Sequence, residues 1–145
     1  MCRARAYGCV ATKADEPIAR RLGKIYDVLT RVISKFGPTA LSIENVYFGE
    51  NTKSAIATAQ ARGVAIVACA NAGLEVGEYT PMQIKQAVVG TGAADKRQVM
   101  YMVKNVLALD HEPRPDHAAD ALAAAVCHAN LARTVSLGEA RRSLT

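Results

Sequence analysis

Residues 40–48, Ala-Leu-Ser-Ile-Glu-Asn-Val-Tyr-Phe, decide the fold class together with the helix and strand immediately downstream of them. They read as a strand that runs out into a loop. Asn51-Thr52 then caps a helix that continues to about Asn71, where Ala72-Gly73 stops it. A short strand, Val76 to Tyr79, comes next. Upstream, the loosely alternating run ending Tyr7-Gly8-Cys9-Val10-Ala11-Thr12 predicts another strand. Asp15-Glu16-Pro17 predicts a helix start, with acids in the first turn and Pro near its first position. Ile18, Leu22, Ile25, Leu29, Val32 and Ile33 recur at helical spacing to about Phe36, and Gly37-Pro38 ends the run. Strands and helices therefore alternate from about residue 5 to residue 90, an α/β arrangement.

Downstream the pattern is helical. Thr80-Pro81 starts a short helix ending at Gly90, and a further helix is predicted from about Asp95 to Leu109. After the Pro-rich break His111–Pro115, an Ala-rich helix is predicted from Asp116 to about Arg133. Residues 1–133 are expected to form one domain, and residues 134–145 a flexible C-terminal tail.

The chain has 145 residues, about one domain's worth, and half of them are apolar. Alanine supplies 27 of these, and there is no Trp, so close helix packing is expected rather than a bulky aromatic core. The longest uncharged stretch, Gly63 to Leu74, is too short to span a bilayer. Met1-Cys2-Arg3-Ala4-Arg5 leads into no apolar segment of a secretory signal. A cytoplasmic protein without a membrane partner is expected. A net charge of +5 suits a polyanionic partner without identifying one. Cys2, Cys9, Cys69 and Cys127 form no CxxC and no zinc-finger spacing, so they read as buried or incidental thiols. Gly90-Thr91-Gly92 with Lys96 matches no phosphate-loop pattern.

Two groups of residues could carry chemistry. Glu44 follows Leu41 and Ile43 in a strand that otherwise reads as buried, and burying an unpaired carboxylate costs several kcal/mol, roughly, unless a partner or metal offsets it. An edge position or a salt bridge would also explain it. The second group is Asp116-His117-Ala118-Ala119-Asp120. On a helix, His117 and Asp120 share a face, and Asp116 can reach it. The helix dipole explains Asp116 well and Asp120, a turn further in, poorly. Carboxylate and imidazole ligands of this kind suit Mg²⁺ or Mn²⁺. Two such ions about 3.5–4 Å apart can drive phosphodiester hydrolysis.

Five stretches, in this order and spacing, carry a resemblance. They are Ile43-Glu44-Asn45-Val46-Tyr47-Phe48, Ala59-Gln60-Ala61-Arg62-Gly63-Val64-Ala65, Gln83-Ile84-Lys85-Gln86-Ala87-Val88-Val89-Gly90, Lys96-Arg97-Gln98-Val99 and Asp116-His117-Ala118-Ala119-Asp120-Ala121-Leu122-Ala123. Across almost its whole length the chain resembles the RuvC family of Holliday junction resolvases. The resemblance implies an RNase H-like mixed sheet flanked by helices and a homodimer. It also implies symmetric nicking of four-way junction DNA with two Mg²⁺ ions per site, Mn²⁺ being an alternative. The partners implied are junction DNA, a second copy and the RuvA–RuvB branch-migration complex, in homologous recombination and DNA repair. Glu44, His117 and Asp120 fall at metal-ligand and catalytic positions. Tyr47 falls where an aromatic stacks on junction bases. Lys85, Lys96 and Arg97 fall at DNA-binding basic positions.

One departure stands out. The family begins with a strand bearing a Gly-Ile-Asp-Pro-Gly-like motif whose Asp is the first ligand, and nothing here matches it. The chain reads as starting at the family's third strand, with the first two strands missing and activity impaired. The alternative expectation is a catalytically inactive junction-binding module or a non-functional fragment.

Overall fold

The computed structural model describes residues 2–45 and 52–143. Among these residues seven elements occur in order: α1 (Ile18–Phe36), β1 (Ala40–Glu44), α2 (Thr52–Asn71), β2 (Glu75–Tyr79), α3 (Pro81–Val89), α4 (Lys96–Val106) and α5 (Asp116–Ser143). The expected α/β class holds. The contacts divide the chain into two compact units, Val10–Glu78 and Met1–Cys9 with Tyr79–Thr145.

In the first unit, β1 and β2 pair as a two-stranded sheet among the described residues. The N–H of Glu75, which opens β2, donates to the carbonyl of Thr39, just before β1. The two strands thus start side by side and run parallel, with α2 as the crossover between them. Helix α1 packs on α2, and α2 also touches β1. Gly37 takes the left-handed conformation (φ 57°) that ends α1, its N–H bonded to the Ile33 carbonyl at 2.9 Å.

Two expectations fail in this region. Residues 7–12 form no strand. Tyr7 and Val10 stay exposed, so the run has no face to bury. Side chains of α1 take over its polar groups instead: Lys24 donates to the Ala11 carbonyl at 2.6 Å, and Arg21 Nε to the Thr12 hydroxyl at 3.0 Å. The acids before α1 also fall outside its first turn. Pro17 is the N-cap with extended ψ (140°), and it disfavours helical backbone at Glu16 before it.

The second unit packs α3, α4 and α5 together. Its core is Ile84 and Val88 from α3, Val99, Val103 and Leu107 from α4 and its end, and Leu122, Ala123, Ala124, Val126 and Cys127 from α5. Ala118 and Ala119 are also buried, so one face of α5 is largely alanine and admits close approach. Both shorter helices carry reciprocal caps. Thr80 accepts from the Gln83 N–H while the Gln83 side chain accepts from the Thr80 N–H, and Asp95 and Gln98 repeat the arrangement. The Tyr79 hydroxyl, which belongs to this unit, lies 2.6 Å from His128 Nδ1 on α5. Helix α5 continues past Arg133, where the sequence suggested an end, to Ser143.

Val103 is 0% exposed at the centre of this unit. Val103→Ala should cost about 2 kcal/mol from lost burial and the cavity left behind. Urea unfolding followed by circular dichroism measures it, and a loss below about 0.5 kcal/mol would mean the three helices do not close around this residue.

Candidate functional site

Asp116 is the first residue of α5, where a carboxylate favours the positive end of the helix dipole. Asp120 lies one turn on and shares its face. Lys96, the first residue of α4, meets both: its ammonium is 3.6 Å from Asp116 Oδ2 and 3.6 Å from Asp120 Oδ2. All three side chains are about half exposed. His117 is exposed and, with Lys96, Arg114, Pro115 and Asp116, lines a depression of about 600 Å³. Caps and core hold this geometry. Asp95 fixes the start of α4, while the buried alanines at 118 and 119 fix the start of α5.

The other expected residues are more dispersed. Lys85 is half-buried on α3, and Arg97 is exposed beside Lys96 on α4. Glu44 ends β1 in the other unit and is exposed, which fits the edge position that the sequence left open rather than a buried carboxylate. No buried polar or charged residue is found among the described residues. Tyr47 lies outside the described residues.

Among the described residues no group of three His, Cys, Asp or Glu side chains converges as a ready metal cage. The donor set nevertheless suits a hard divalent ion. Asp116 and Asp120 converge on one cation, the Lys96 ammonium, and His117 borders the same depression. Burial pushes the Cys69 and Cys127 thiols up from their ordinary pKa, which keeps them protonated and poor as ligands.

Two features escaped the sequence reading. One is the Lys96 bridge, which needs α4 and α5 side by side. The other is Arg62, which the sequence placed in one of the matching stretches without assigning it a role. Its guanidinium donates through Nε to the Glu44 carbonyl at 3.1 Å and through an amino group to Asn45 Oδ1 at 3.0 Å, and it pairs with Glu78. The signal was a lone arginine inside an otherwise apolar crossover between two strands that each carry a glutamate.

Comparison with known proteins gives a consistent picture. The family model described as "Crossover junction endodeoxyribonuclease RuvC" matches residues 1–128. The protein of that name from Moorella thermoacetica is 48% identical over 130 residues, covering 90% of this chain and 78% of the relative. A solved Thermus thermophilus RuvC structure is 41% identical with a TM-score of 0.80, covering 86% of this chain and 75% of that one. T. thermophilus RuvC in complex with Holliday junction substrate is 38% identical with a TM-score of 0.78, covering 86% and 76%.

The half-exposed Lys96 pairs should contribute little to folding, about 0–1 kcal/mol. Lys96→Ala is therefore expected to keep its urea midpoint within that range. A larger loss would make the residue structural and would remove it as a clean probe of function.

Proposed function

This chain belongs to the RuvC family of crossover junction endodeoxyribonucleases, and from that premise we propose that it binds four-way DNA junctions and nicks them symmetrically with divalent metal, in recombination and repair. The observation that carries the reading furthest is the pair of carboxylates, Asp116 and Asp120, converging on one cation beside the depression that Lys96, Arg114 and His117 line. Glu44, His117 and Asp120 are proposed to hold Mg²⁺ or Mn²⁺, two ions per site. When bound, such ions lower the pKa of water and stabilise the leaving oxygen.

The chain's own residues do the positioning. Lys85, Lys96 and Arg97 grip backbone phosphate, which supplies affinity without sequence preference. Lys96 has a second role in this reading: it neutralises Asp116 and Asp120, and near a scissile phosphate it offers the same ammonium to the substrate. Tyr47 is proposed to stack on bases at the crossover. A two-fold junction cut at two positions calls for a two-fold enzyme, so a homodimer is part of the proposal. Helix α2 supports it. Ile56 and Val67 are 50% and 52% exposed three turns apart, and Gln60 and Gly63 lie between them on the same face. The proposal extends, through the family resemblance, to a junction delivered by RuvA–RuvB in the cytoplasm. Among the described residues no helix is long and apolar enough to cross a membrane.

Four-way junction cleavage tests the reading. Residues 1–145 should bind the junction in EDTA. Because no residue matches the Gly-Ile-Asp-Pro-Gly ligand, nicking on addition of Mg²⁺ should be slow. Fast nicking would show that the missing Asp is dispensable or is replaced, and loss of that rate in Asp116→Asn would make Asp116 the replacement. Asp120→Asn should lower the remaining rate by about 10²-fold or more and leave binding intact. An unaffected rate would remove Asp120 from the site.

Lys85→Ala and Arg97→Ala should each weaken binding for all junction sequences alike. Each should lower the slope of log affinity against log salt by about one unit. An unchanged slope marks a solvated lysine or arginine with no phosphate contact. Val67→Arg should yield folded monomers by analytical ultracentrifugation, and a dimer that survives the substitution would clear this face of α2.

A further inference from the structure

We infer that Arg62 is a positioning residue for the Glu44 carboxylate. The inference rests on the reading of Glu44 as a metal ligand and goes beyond it.

Three observations converge. Arg62 sits mid-way along α2, the crossover helix, and its side chain is only 21% exposed. Its guanidinium reaches the Glu44 carbonyl, the Asn45 side chain and the Glu78 carboxylate. Those groups belong to the end of β1, the residue after it and β2. One planar group thus joins three segments where the strands end, and the paired strand ends meet there. A guanidinium suits the task because it offers several donors in a rigid fork, which an ammonium cannot do.

The placement matters because Glu44 is the last residue of its strand. Asn45, the next residue, lies outside the sheet ladder that fixes β1. The Glu44 carbonyl would lose its tie to α2 without Arg62, and Asn45 would lose its side-chain anchor. The carboxylate's direction depends on backbone torsions at that residue, so a loosened strand end spreads its positions. Partners that orient a ligand are commonly worth about 10–100-fold in metal affinity. Glu78 completes the arrangement by supplying the negative charge that keeps the guanidinium in place. Glu78 is half exposed, so its pair with Arg62 adds little to stability and the main effect is on orientation.

Mn²⁺ binding to residues 1–145, read by the electron paramagnetic resonance signal of free Mn²⁺, separates the two ideas. Glu44→Gln tests the ligand reading: unchanged Mn²⁺ affinity overturns that reading itself. With Glu44 confirmed, Arg62→Gln should weaken Mn²⁺ by roughly tenfold or more while the thermal midpoint stays near that of the parent. Arg62→Lys, which keeps the charge but not the fork, should recover only part of the affinity. In a Glu44→Gln background, Arg62→Gln should have no further effect, whereas general loosening of the unit would weaken binding in both backgrounds. Full affinity in a folded Arg62→Gln protein overturns the inference, as does an equal loss in both backgrounds. Should Arg62→Gln fail to fold, Asn45→Ala decides in its place, because it removes one arm of the anchor and leaves α2 unchanged. Weakened Mn²⁺ binding there supports the inference, and unchanged binding overturns it.

Discussion

The close approach of α5 to α3 and α4 is the constraint on which the acidic site depends. Ala118, Ala119, Ala123 and Ala124 are all buried, and their small side chains let the helices come near enough for the first residue of α4 to reach two turns of α5. A larger residue at 119 would move the start of α5 away from α4. The Lys96 ammonium could not then lie between both carboxylates. The composition that makes the core poor in bulk therefore also sets the geometry of the charged cluster. Larger side chains such as Ile84, Met100, Leu107 and Leu122 supply the remaining volume of the unit's core.

Most of the fold was legible because its punctuation is local. Gly37-Pro38, Ala72-Gly73, Thr80-Pro81 and Gly90 mark element ends by backbone chemistry that needs no tertiary information, and helices and strands fall between them. The run at 7–12 was misread because alternation alone does not supply a sheet partner. Its carbonyl at Ala11 and hydroxyl at Thr12 are satisfied by lysine and arginine from the helix that comes after it. The end of α5 was misplaced because the alanine-rich run ends near Arg133, whereas the helix continues through Gly138 to Ser143.

The site was legible in part, and for a different reason. Asp116, His117 and Asp120 could be grouped from helical spacing alone, because neighbours on one helix turn are fixed by geometry. The third partner, Lys96, could be named only from resemblance, since nothing in its own segment points across to α5. Glu44 could not be singled out by burial: the structure leaves it exposed at the strand end, the kind of edge position its strand also allowed, so only the resemblance pointed to it. Arg62 was invisible because the partners of a crossover residue are set by strand pairing rather than by sequence distance.

The caps of α3 and α4 have a consequence for how an anion is met. At each helix start, a side chain accepts from the third backbone N–H and a glutamine accepts from the cap's own N–H. The donors that elsewhere form a rigid phosphate cradle at a helix end are thus partly occupied, and at α4 a carboxylate sits in front of them. In the proposed reading, phosphate at this unit would be met by the cationic side chains of Lys85, Lys96 and Arg97 rather than by the fixed N–H groups of these two helix ends.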